Sequence, residues 1–100
     1  MGNGTECGVH ARNPKKYKSK KLNDCTIHHN FNGLFAMQHA VVDLYGENTD
    51  IHSNTYDGIC AIRHGKVQIH LPSQHNTSHD NGNGDRHQWG EGTITKTSND

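Results

Sequence analysis

Each of the three cysteines in this chain is followed at short range by a histidine: Cys7 by His10, Cys25 by His28 and Cys60 by His64. A zinc ion sits about 2.0 to 2.3 Å from each ligand, so side chains three or four positions apart converge on one tetrahedral centre across a tight turn. Cys25, His28, Cys60 and His64 form the expected Cys₂His₂ set, because one pair precedes the main apolar run and the other lies in the second organised stretch. His29 is the substitute ligand. Ten histidines in 100 residues also mean that a formally neutral chain becomes strongly cationic below about pH 6. His75 and His79, four apart, suit weak nickel or copper binding of the kind any His-rich segment offers.

Two stretches must position these groups. Phe31 to Tyr45 is the longest run dense in apolar side chains, and Leu34, Met37, Val41 and Leu44 recur in it at helical spacing. Asn32 suits an N-cap and Gly46 the left-handed residue past the last turn, so a helix is expected from about Gly33 to Tyr45, with His39 and Asp43 on its polar side, although Ala40 to Tyr45 is β-branched and aromatic enough to read as a short strand. The second stretch, Ile59 to Leu71, reads as a β-hairpin turning at His64-Gly65. Its register sets Ile62 opposite Val67 and Cys60 opposite Ile69, with Lys66, Gln68 and His70 on the other side and Pro72 ending the strand. The expected fold class is α+β: one helix packed on a β-hairpin, with flexible N- and C-terminal tails. Residues 1–21 form a flexible basic arm, 22–72 the α+β unit and 73–100 a polar tail rich in His, Asn and Gly. No internal repeat is expected. A unit this small sits near the size below which a core needs a metal, a disulfide or a partner, which gives zinc a physical motive.

Composition points the same way. Apolar residues make up 29% of the chain, against nearer half for an ordinary globular domain, and the mean hydropathy is −0.99. Much of such a chain cannot bury enough surface to offset the entropy of ordering it. Three widely spaced cysteines are poor grounds for a disulfide framework and suggest a reducing compartment. With no apolar leader and no run of roughly 18 apolar residues, the expectation is an intracellular protein, cytoplasmic or nuclear. The Asn-x-Thr/Ser triplets at Asn3 and Asn76 are then chance matches.

The net charge is zero, but the chain up to Lys21 carries six basic residues against one acid. Lys15, Lys16, Lys18, Lys20 and Lys21 can contact phosphates, with Tyr17 available to stack, and this cluster is the expected partner-binding segment. The start MGNGTE is similar to an N-myristoylation site, with Glu6 where Ser or Thr is preferred. DNGNGD, from Asp80, is similar to Asp/Asn-rich calcium loops without the EF-hand positions of Gly and Glu. Ile27 to Asn30 (IHHN), an Asn at 48 or 54, and His64 resemble in order the His…Asn…His pattern of HNH nucleases. That resemblance implies a metal-dependent nuclease in which His29 is the general base and His64 holds a divalent ion on a closing helix. The leading expectation is a small, non-enzymatic binding or accessory protein, stapled by zinc, that meets a protein or nucleic-acid partner through its basic arm. The alternatives are the HNH-like nuclease and a largely disordered chain with no packed core.

Overall fold

The computed structural model describes residues 9–12, 19–72 and 74–96, and every regular element among them is a β-strand. In chain order these are β1 (Val9–Arg12), β2 (Ser19–Asn23), β3 (Thr26–His28), β4 (Leu34–Met37), β5 (Val41–Tyr45), β6 (Asp50–His52), β7 (Asp57–Ile62), β8 (Lys66–Ile69), β9 (Ser78–His79), β10 (Gly84–Trp89) and β11 (Thr93–Lys96). They form three sheets in which every pairing is parallel: β1-β4-β7-β10, β2-β5-β8-β11 and β3-β6-β9. The chain visits a first, a second and a third wall in turn and then begins again one strand higher. The result is a three-walled parallel β-solenoid, in which each coil stacks only on its neighbours.

Strand alternation lines the interior. On the first wall Leu34 stacks on Ile59 and Ala36 on Ala61; on the second, Val42 on Val67 and Leu44 on Ile69; on the third, Ile27 on Ile51. All ten are closed to solvent. Stacking like on like lets a sequence poor in apolar residues build a dry core, since a given coil needs only about five inward side chains.

The expected helix on a hairpin is overturned. Leu34, Met37, Val41 and Leu44 do not share a face: Leu34 and Leu44 point inward, Met37 and Val41 fall on the other side of their strands, and the chain turns between them at Gln38 and His39. Period two won over period 3.6 because each strand is only four or five residues long, too short to display its alternation. Gly46 does adopt a positive φ of 94°, at a corner and not at a helix end. In the second stretch two strands form and turn at Arg63-His64, yet they lie on different walls and pair with other coils, so Cys60 faces Phe35 and not Ile69. Where the expected tails are described they form strands, β1 and the start of β2 within 1–21 and β9, β10 and β11 within 73–100, while 1–8 and 13–18 lie outside the described residues.

The three corners of a coil differ. At the first, between first and second walls, Ala40, Gly65 and Gly92 donate N–H bonds of 3.2, 2.8 and 3.0 Å to Met37, Ile62 and Trp89 three residues back. The two residues enclosed have positive φ each time, as in a type I′ turn. A Cβ at Gly65 would run into the Ala36 carbonyl oxygen of the coil below. The second corner is short between Tyr45 and Asp50 and longer between Ile69 and Ser78, where Leu71 and Thr77 are buried.

The third corner, between the third wall and the next coil, holds a column of Asn30, Asn54 and Asn81, of which Asn54 is buried and the other two are partly exposed. Asn54 Oδ1 accepts the Asn30 backbone N–H at 3.0 Å, and Asn81 Oδ1 accepts that of Asn54 at 3.0 Å and the Asn54 side-chain amide at 2.9 Å. The column supplies hydrogen bonds to the backbone N–H groups of Asn30 and of the buried Asn54.

Candidate functional site: a histidine column on the third wall

The third wall is narrow, and its register sets His28, His52 and His79 one above another on the outer surface. Neighbouring parallel strands lie about 4.8 Å apart, so rings projecting from equivalent positions stack. The His28 and His52 ring centroids are 5.3 Å apart at 3°, and those of His52 and His79 5.5 Å apart at 12°. The residue after each histidine, His29, Ser53 and Asp80, has a positive φ, a conformation that Asp and His adopt more readily than most side chains. This kink turns Asn30, Asn54 and Asn81 inward and leaves the side chains before it against the column. His28 and His29 bring their Nδ1 atoms together.

Around the upper two rungs the polar contacts are specific. His79 Nε2 is 2.7 Å from Asp50 Oδ1 and its Nδ1 is 2.8 Å from Asp80 Oδ2. His52 Nδ1 is 2.8 Å from Ser53 Oγ, and its Nε2 is 4.0 Å from Asp50 Oδ2. Hydrogen bonds to Asp80 and then to Asp50 raise the His79 pKa above its ordinary value, since both carboxylates favour the imidazolium. One carboxylate, Asp50, thus lies between the Nε2 atoms of two stacked imidazoles whose Nδ1 atoms are held elsewhere. Beside the column, at the third corner, the exposed rings of Phe31 and Tyr56 stack at 5.0 Å and 6°.

Two further stacks occur. At the first corner His39 lies 4.8 Å from His64, whose Nδ1 is 3.2 Å from Glu91 Oε1 in the coil above. On the second wall Tyr45 stacks on His70 at 4.5 Å, and His70 Nε2 meets Asp43 at 2.8 Å.

The four expected zinc ligands are dispersed among these features. Cys25 is buried at the second corner and disulfide-bonded, which leaves it no thiolate to offer. His28 is in the third-wall column, and His64 in the exposed stack at the first corner. Cys60 is a free thiol buried in β7, its pKa pushed up to about 11 by burial and then by the Asp57 charge. Among the described residues no three His, Cys, Asp or Glu side chains already surround one point. The nuclease pattern is separated too: His29 lies at the third corner and His64 at the first, Asn54 is buried in the asparagine column, and no helix closes the site among the described residues. Lys20 and Lys21 are exposed on β2, whereas Lys15, Lys16, Tyr17 and Lys18 lie outside the described residues.

The residues missed by sequence reasoning are Asp50, His52, Ser53 and Asp80. Their signal was a repeat, IHHN at 27–30, IHSN at 51–54 and SHDN at 78–81. Comparison with protein-family models, curated proteins and solved structures finds no match.

Proposed function

We propose that the protein is a non-enzymatic binding module whose contact surface is the histidine column of the third wall together with the adjoining Phe31–Tyr56 pair. The observation that carries this reading is the parallel stacking of His28, His52 and His79 on a three-coil frame. Side chains ordered against one another before binding have little rotamer entropy left to lose, and a partner gains accordingly. Stacked rings present their edges, here imidazole nitrogens flanked by carboxylates, with an aromatic strip alongside. Such a surface repeats once per coil, so it suits an extended polymer lying along the solenoid axis, with successive units meeting successive coils.

Titration of isotope-labelled protein with a single-stranded oligonucleotide, a neutral oligosaccharide and an extended peptide tests this by proton–nitrogen correlation. One of the three is expected to shift the amides of His28, Phe31, His52, Tyr56 and His79 together, and Tyr56→Ala to weaken that response. If none moves them, or if the shifts gather on Lys20 and Lys21 instead, the reading is wrong.

A further inference from the structure

We infer that Asp50, His52 and His79 form a binding site for a divalent transition-metal ion of the zinc, cobalt or copper type. This inference concerns a different ligand from the polymer and stands whether or not the polymer reading holds. Two imidazole nitrogens and one carboxylate are a donor set that such borderline ions favour. The orientation of the donors is what distinguishes this cluster from the other histidine stacks. Histidines that hold a metal through one ring nitrogen almost always have the other nitrogen tied to a carboxylate, a carbonyl or a similar acceptor, which fixes the tautomer and aims the lone pair. Here Asp80 holds Nδ1 of His79 and Ser53 Oγ lies 2.8 Å from Nδ1 of His52, so that both Nε2 atoms are turned to Asp50.

Distances fit an ion with modest movement. Two ligands of one tetrahedral zinc, each about 2.0 to 2.2 Å from it, are roughly 3.3 Å from one another. The two separations from Asp50, 2.7 Å to His79 and 4.0 Å to His52, bracket that value. The His79–Asp50 hydrogen bond closes the place the ion would take. Its entry replaces the Nε2 proton of His79, draws Asp50 off that ring and tilts the two imidazoles, 5.5 Å apart at their centroids, toward one point. Both rings are partly exposed, so the solvent side has room for the tilt, which gives up their mutual stacking. Water completes the coordination. The stack at the first corner has no such arrangement, since His64 meets Glu91 through Nδ1.

Calorimetric titration of zinc into the full-length protein, repeated with cobalt and read by its visible absorption, tests the site. The expected result is one equivalent bound, with affinity reduced at least tenfold by Asp50→Asn and by His79→Gln, and by roughly tenfold for Asp80→Ala through loss of the supporting hydrogen bond. The double variant His39→Gln/His64→Gln is expected to bind as the parent does, and a dispersed amide spectrum confirms that each variant is folded. The inference is overturned if the folded parent takes up no stoichiometric ion, if Asp50→Asn binds unchanged, or if the first-corner variant is the one that loses the metal.

Discussion

The middle coils and the last coil occupy the same register and treat it in opposite ways. Leu34 and Ala36, then Ile59 and Ala61, fill the first wall of the second and third coils and are sealed from solvent. The next strand places Arg86 above Ile59 and Gln88 above Ala61, and both are exposed. Gln88 Oε1 accepts the Ile94 backbone N–H at 2.6 Å, so an inward position spends its side chain on the strand of the adjoining wall. On this wall no further coil covers the last strand among the described residues, and its inward positions are polar and open to water; on the third wall the end strand keeps Ile27 closed to solvent.

That contrast can be broken most directly at one register. Ile59→Ala removes a side chain with coils above and below it and is expected to cost about 3 kcal/mol, while Arg86→Ala at the next rung stays within roughly 0.5 kcal/mol. Urea midpoints of the two variants decide it, and equal losses would mean that the last coil is as tightly packed as the middle ones. The asparagine column makes a polar version of the comparison. Asn54→Ala leaves the Asn30 N–H without its acceptor and is expected to cost about 2 kcal/mol, against about 1 kcal/mol for Asn30→Ala, which is partly open to water. Thermal unfolding by circular dichroism ranks the pair. Gly65→Ala forces the first corner of the third coil away from Ala36 and is expected to destabilise by about 1 kcal/mol or more, again by denaturant midpoint.

The smallest effect concerns Cys60. With its pKa raised from 9.0 to about 11, the native thiol remains protonated at pH values where an unfolded chain has already lost the proton. Its contribution is therefore complete below pH 9 and is lost as pH rises from there toward 11. Cys60→Ala is expected to flatten that limb of the stability profile, and native Cys60 to react with iodoacetamide at pH 8 far more slowly than after unfolding.

Some of this architecture was legible in the chain. Two strands in 57–62 and 66–69 follow from the β-branched residues there, but the turn expected at His64-Gly65 falls at Arg63-His64 and the strands pair with other coils instead of each other. A turn whose φ signs suit a hairpin here rounds a corner, and nothing local to the turn distinguishes the two. The helix error has a related source, because two short strands separated by a tight turn place apolar residues at intervals of three and four by accident. The decisive pattern was longer in range. Ile27-His28-x-Asn30 and Ile51-His52-x-Asn54 are 24 residues apart, but the next instance is 27 residues on and has Ser78 in place of Ile. Unequal corners blurred the period. The repeated His-x-Asn, with an apolar residue before it in two of its three instances, marks the coil and the histidine column together.

The same irregularity tells where this scaffold accepts new material. Between the second and third walls the chain takes four residues to pass from Tyr45 to Asp50 and eight to pass from Ile69 to Ser78, yet the walls on either side keep their parallel register. Extra length is absorbed in the bend, and the His75 imidazole fastens the longer loop back to the Glu47 carbonyl oxygen at 2.8 Å. A segment grafted between Pro72 and Asn76 would therefore be carried on the flank of the molecule, next to the histidine rungs, without being threaded through its interior.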